Sequence, residues 1–157
     1  MKLWSRRSLF AGLGGAAAAT VATQLPAVTA SAATSGATIQ LIAPPLRIAD
    51  TRSDGTGIVT PTHPLDVFVP GLIGAGSVGA LLNLTVTETI GAGFITATAD
   101  NASGPNATSN CNWSATGQTV ANLALIPAVG TRGITITVGG PGQTHVVVDL
   151  VGLLVQP

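Results

Sequence analysis

Apolar and polar residues alternate along several short segments of the chain. Leu82–Thr87 and Ile134–Val138 alternate strictly, and Phe94–Ala99 repeats the pattern with smaller residues. A period of two with many β-branched residues is typical of strands that bury one face. Six further runs are candidate strands: Thr38–Ile42, Leu46–Asp50, Leu65–Val69, Ser109–Trp113, Val120–Ile126 and His145–Leu154.

Glycine and proline clusters such as Pro44-Pro45 and Gly139–Gly142 separate most of these runs. Such clusters mark tight turns, and no segment beyond residue 33 shows a helical period. The sequence therefore predicts an all-β fold, a β-sandwich or a partly open barrel of about nine short, mostly antiparallel strands. The predicted core is aliphatic and consists of Leu82, Leu84, Val86, Ile95, Leu123, Leu125, Ile134, Ile136, Val146, Val148 and Leu150.

The N-terminal segment has the order of an export signal. A basic stretch is followed by an uncharged, Ala- and Gly-rich stretch that ends in Ala30-Ser31-Ala32. Ser5-Arg6-Arg7 resembles the twin-arginine motif. We predict a twin-arginine-type signal peptide over 1–32 with Ala30 and Ala32 at the cleavage site. A short flexible leader over 33–37 and a single domain over 38–157 would follow. The alternative is a retained membrane anchor, which the weak hydrophobicity of this stretch disfavours.

Charge is scarce. The whole chain is 46% hydrophobic and 8% charged, with a formal net charge of +0. Without the predicted signal, three arginines stand against six carboxylates, about −3, and no lysine is left. A chain this apolar is not typical of disorder, and one without a basic excess is not typical of nucleic-acid binding. We expect a secreted or cell-wall-associated protein that meets the membrane only through its signal peptide.

Several strings occur together in a distinctive order. They are Leu46–Arg52 (LRIADTR), Leu82–Glu88 (LNLTVTE), Gly93–Thr96 (GFIT), Gly117–Leu123 (GQTVANL) and Thr144–Gly152 (THVVVDLVG). Over about residues 44–154 the chain resembles a secreted all-β module of actinobacteria, found alone or appended to cell-wall hydrolases. Cys111 departs from an expected leucine, and Leu153-Leu154 from an aromatic pair. The resemblance implies an envelope context and no particular activity.

Asp149 lies inside an otherwise apolar predicted strand, where a carboxylate needs a partner. We predict that it meets Arg47 or Arg52, or the backbone N–H groups of the Asp50-Thr51-Arg52 turn, as a structural latch. A calcium site that uses Asp50 and Asp54 is the alternative. Two distant histidines make a poor zinc site, so no metal or other cofactor is expected.

Sugar binding favours an exposed aromatic ring, because the ring offers a rigid apolar face. Trp113, with Asn112 and Asn110 beside it, is the predicted ligand contact, and the alternative for Trp113 is a place in the core. Cys111, the single cysteine, is predicted as a small core residue, with an intermolecular disulfide as its alternative.

Catalytic patterns are weak. No Gly-x-Ser-x-Gly elbow is present, and a strand would hold His145 and Asp149 about 13 Å apart. We assign no catalytic residue. The sequence predicts an exported, non-enzymatic surface or cell-wall module with a binding or structural role. The alternative is a carbohydrate-binding module for cell-wall glycan, and a hydrolase comes third. The partners implied are a cell-wall glycan or a surface protein, not nucleic acid.

Overall fold

The computed structural model describes residues 36–73, 76–100 and 108–156. The predicted signal peptide, with Ser5, Arg6, Arg7, Ala30 and Ala32, lies outside the described residues, as does the start of the predicted leader. All described residues belong to the unit Ala33–Pro157. Within them, no helix of the length and apolarity that a membrane crossing requires is found.

The described residues form two four-stranded antiparallel sheets that pack face to face. Sheet I has the order β1-β8-β3-β6 and sheet II the order β2-β7-β4-β5. This arrangement confirms the predicted all-β fold and is that of a β-sandwich. The strands are β1 Thr38–Asp50, β2 Leu65–Phe68, β3 Ser77–Ile90, β4 Gly93–Ala99, β5 Cys111–Trp113, β6 Val120–Pro127, β7 Gly133–Gly139 and β8 Gln143–Val155.

The described residues contain eight strands rather than about nine, because the first two predicted strands form the single strand β1. Leu41 pairs with Gly152 and Leu46 with Leu150, so the chain bulges at Pro44-Pro45 and then resumes pairing with β8. Proline has no N–H to give to a ladder and is tolerated at bulges and on edge strands. The proline pair therefore interrupts the strand without ending it.

The core lies between the sheets and contains nine of the eleven predicted core residues. Leu123 and Leu125 were assigned to it wrongly, since both are exposed. Pairing with β3 sets Ala124 opposite Leu82, which turns Ala124 and Ile126 inward and the two leucines outward. Because β6 is apolar on both faces, alternation alone does not tell which face is buried.

Candidate functional site

The predicted latch residues meet where β1 pairs with β8 on the outer face of sheet I. Arg47 is directly opposite Asp149 in the register. Its Nε donates to Asp149 Oδ1 at 2.8 Å and its Nη2 to Oδ2 at 3.3 Å. This side-on, two-bond geometry fits a planar guanidinium to a planar carboxylate and raises the pKa of Arg47. The structure thus gives Asp149 the first of its predicted partners.

Asp50 carries the second half of this network. Its carboxylate accepts from Arg52 Nε at 2.8 Å and Nη2 at 2.7 Å, and from Arg47 Nη1 at 3.4 Å. The hydrogen bond from the Arg52 side chain is the main reason that the pKa of Asp50 falls to about 2. Arg52 therefore pairs with Asp50 and not with Asp149. We call Arg47, Asp50, Arg52 and Asp149 the charged corner.

Thr51 anchors the charged corner to β8. It is 1% exposed, and its Oγ1 accepts from Val146 N at 3.0 Å and hydrogen-bonds His145 Nδ1 at 3.0 Å. Its backbone N–H also donates to Val146 O at 3.0 Å. The string Asp50-Thr51-Arg52 is thus a joint between two strands, with its threonine turned in and its charges turned out.

Asp54 is occupied by its own turn. Its carboxylate accepts from Thr56 N at 2.9 Å and from Asp50 N at 3.2 Å, and the Thr56 bond is the main reason that its pKa is lowered. Asp50 already faces two arginines. A calcium ion at this pair would have to displace them, and the described residues contain no cluster of three or more metal-ligating side chains.

The prediction of Trp113 as an exposed ligand contact is wrong. The indole is 5% exposed, and its Nε1 donates to Gly91 O at 2.8 Å. Trp113 pairs with Gly93 on β4, and a Cβ on that glycine would come within 2.6 Å of the ring. The ring covers a residue without a side chain, an arrangement that fills the core and pins the strand register.

The two asparagines next to Trp113 serve the loop and strand around them. Asn110 Oδ1 accepts from Ala97 N at 2.7 Å, which ties the segment before β5 to β4. Asn112 is exposed on the outer face and donates to Ser109 Oγ at 3.0 Å. The ring and the two amides therefore do not converge on one surface, and Asn112 alone stays accessible.

Cys111 is buried, as expected of a residue that takes a core position. Its Sγ donates to Val120 O at 3.3 Å, and burial raises the pKa of the thiol. A neutral, buried thiol is a poor nucleophile and is not presented to a second chain for a disulfide.

Phe68 is the exposed aromatic residue of the described surface, and the sequence analysis did not select it as a ligand contact. It is 61% exposed at the end of β2. Together with Asp66, Asp100, Arg132 and Gly133 it lines a groove of about 300 Å³ on sheet II, which we call the Arg132 groove. The sequence held a signal for it: Leu65–Val69 alternates, so Asp66 and Phe68 share the outward face.

Glycine shapes the floor of this groove. Gly133 pairs with Phe68 across β2 and β7, and its carbonyl accepts from Asp100 N at 3.2 Å. It therefore lies between the aromatic ring on one side and a carboxylate on the other. A Cβ at this position would come within 2.1 Å of Val67 O, so β2 could not approach β7 as it does.

Arg132 also borders a second groove of about 260 Å³, lined by Leu72, Ile73, Ser77, Gly130 and Thr131. Across the described ranges its guanidinium makes no ion pair, unlike those of Arg47 and Arg52. The two grooves meet at an arginine whose five N–H donors have no protein partner there.

A second apolar surface crosses the outer face of sheet I. Leu125, Leu81, Gly152 and Leu41 lie opposite one another across all four strands. Leu41 is 71% exposed and Leu123 56%. Gly79 and Gly152 let neighbouring strands approach closely here, because a Cβ at either would come within 2.8 Å of a backbone oxygen. This surface, which we call the aliphatic face, consists of Ile39, Leu41, Leu81, Leu123, Leu125, Pro127 and Leu154.

No protein-family model matches the chain, and no curated protein and no solved structure matches it either. The functional assignment therefore rests on the described residues. They form one internally paired cluster, the charged corner, and two accessible outer surfaces, the Arg132 groove and the aliphatic face.

Proposed function

We propose that this chain is an exported, non-enzymatic module that associates with the actinobacterial cell envelope. The observation that carries the proposal is the aliphatic face. A continuous apolar patch that crosses all four strands of a sheet is uncommon on monomeric soluble proteins and marks sites of association. The predicted export signal and the resemblance to a secreted actinobacterial module support the envelope context.

The acidic residues of the charged corner, together with His145 and Cys111, are engaged within the fold. Asp50 and Asp149 are held by arginines, His145 is bound to Thr51, and the thiol of Cys111 is buried. These contacts favour a structural use of the charged residues. A hydrolase is the least supported of the three functions.

A carbohydrate-binding module is the second candidate, and the Arg132 groove favours it. The groove combines an exposed ring with carboxylates and a guanidinium, the mixture of apolar face and directed polar groups that small-ligand sites show. Trp113 no longer supports this candidate, because its ring belongs to the core.

Sedimentation with purified actinobacterial cell walls tests the proposal. The chain is expressed in an actinobacterial host and collected after export. We expect it to sediment with the walls, and the double variant Leu123→Asn/Leu125→Asn to stay in the supernatant, because it makes the aliphatic face polar at constant side-chain size.

Ile90→Asn is the matched control. Ile90 is 47% exposed, close to the 46% of Leu125, but it lies at the opposite end of β3 from Leu81. Equal sedimentation of the double variant and the control would refute the role of the aliphatic face. No sedimentation of the unmodified chain would refute envelope association itself.

A further inference from the structure

We infer that the Arg132 groove is a glycan-binding site that takes a neutral pyranose unit, with the sugar ring stacked on Phe68. The inference rests on the proposed envelope association and names one ligand class and one surface for it. It starts from the difference between Phe68 and the other aromatic side chains of the described domain.

Phe68 is exposed, whereas the other two aromatic side chains of the described domain pack against glycines. Trp113 covers Gly93, and Phe94 lies so close to Gly139 that a Cβ there would collide with its ring. Phe68 is opposite a glycine as well, Gly133, but the groove opens beside it and leaves the ring 61% exposed. Since burial of a phenylalanine side chain stabilises the fold, an exposed ring forgoes that gain.

The polar groups of the groove match a sugar in chemistry. A pyranose presents C–H groups on one face and hydroxyls around its rim. The C–H face can pack on Phe68 while rim hydroxyls donate to a carboxylate such as Asp100 and accept from Arg132. Asp66 is partly engaged, since its Oδ1 accepts from Thr135 Oγ1 at 2.7 Å. Its other oxygen remains for the ligand.

The balance of charge favours a neutral glycan over an acidic one. Two carboxylates and one guanidinium line the groove, so the site has a net negative charge. A uronic acid or a phosphate would meet Arg132 but also two like charges, which disfavours its binding. A neutral sugar uses all three groups as hydrogen-bond partners and pays no such repulsion.

The second groove indicates how a ligand longer than one sugar ring would lie. It shares Arg132 with the first and continues past Ile73 and Ser77. A ligand longer than one ring can therefore lie across Arg132 and contact both grooves. We expect affinity to rise from a monosaccharide to an oligosaccharide.

Nuclear magnetic resonance titration of the exported chain tests the inference. The probes are a tetramer of N-acetylglucosamine, a tetramer of β-1,4-linked glucose and a tetramer of galacturonic acid. We expect one of the two neutral probes to shift the amide signals of Phe68, Asp100 and Gly133, and the acidic probe to leave them unchanged. Absence of shifts with both neutral probes, or a preference for the acidic one, would overturn the inference.

Variants connect any shift to the groove. We expect Phe68→Ala and Arg132→Gln to weaken binding of the neutral probe by about tenfold or more, and Phe68→Trp to preserve it. The variant Leu123→Asn/Leu125→Asn is the control, because it alters sheet I alone. Unchanged affinity in Phe68→Ala would refute the site.

The two proposals fail separately. If Phe68→Ala sediments with walls as the unmodified chain does and binds the probe equally, the glycan site is wrong and envelope association stands. If the unmodified chain does not sediment but binds the neutral probe through Phe68, the site stands and the wall is not its source of glycan.

Discussion

The charged corner and the Arg132 groove contain the same residue types but differ in whether their arginines are paired with carboxylates. Each has two aspartates and at least one arginine. In the corner, Arg47 and Arg52 lie within 2.8 Å of a carboxylate, whereas Arg132 has no carboxylate within the 4.0 Å of an ion pair in the described residues. The difference shows which charges the fold uses and which it leaves accessible.

Register explains the contrast. Arg47 and Asp149 are directly paired across β1 and β8, and Arg52 follows Asp50 by two residues in a tight turn. Arg132 instead precedes β7, where its backbone carbonyl accepts from Val69 N at 3.0 Å and the residue is exposed. A charge opposite its complement in a ladder becomes part of the fold. Arg132 has no such partner among the described residues, so its guanidinium stays available to a ligand.

The largest expected effect is the difference in stability between variants of Trp113, the predicted ligand contact, and of Phe68, the exposed aromatic residue. Trp113→Ala removes a buried ring and its hydrogen bond, and we expect a loss of about 3–5 kcal/mol in unfolding free energy. Phe68→Ala removes an exposed ring and is expected to change it by no more than about 0.5 kcal/mol. Urea denaturation of both variants measures the difference. Similar losses would mean that Phe68 supports the fold and is not reserved for a ligand.

A smaller loss of thermal stability is expected when the carboxylate that pairs with Arg47 is removed. Asp149→Asn removes the charge that Arg47 contacts, and we expect the thermal midpoint to fall by a few degrees, since the carboxylate is largely covered while its partner is half exposed. Arg132→Gln is the matched change at an unpaired site and should leave the midpoint unaltered. An unaltered midpoint in Asp149→Asn would contradict the latch.

The smallest effect is a dependence on acid. The pKa of Asp50 is lowered from 3.8 to about 2 in the folded chain. Its contribution to stability is therefore complete above pH 3.8 and is lost as the pH falls toward about 2. Stability measured from pH 5 to about 2 should decline less steeply in Asp50→Asn, and the difference should shrink in high salt. An identical slope in the variant would show that the corner does not couple to pH.

The predictability of the fold differs from strand to strand. Leu82–Thr87 was recognisable because its two faces differ, and Leu82, Leu84 and Val86 are buried as predicted. Val120–Ile126 was recognisable as a strand, but its buried face was not, because apolar residues occur on both of its faces. The inward set was chosen by pairing with β3, which no local pattern reports.

The candidate sites divide in the same way. The pairing of Asp149 with an arginine was predictable because few cations were available and a charge within an apolar strand needs one. The Arg132 groove was not, because Asp66, Asp100 and Arg132 are far apart in the chain. The strands of sheet II bring them together through the pairing of Phe68 with Gly133.

The sequence by itself determined that this chain is all-β, where most strands lie, and that Asp149 within its apolar strand needs a partner, since period, turn residues and charge are local properties. The tertiary structure alone decided that Trp113 is inside, that Leu123 and Leu125 are outside, and that Arg132 lies next to Phe68 without an ion-pair partner among the described residues. These outcomes depend on strand register, in which a shift of one residue exchanges the two faces of a strand.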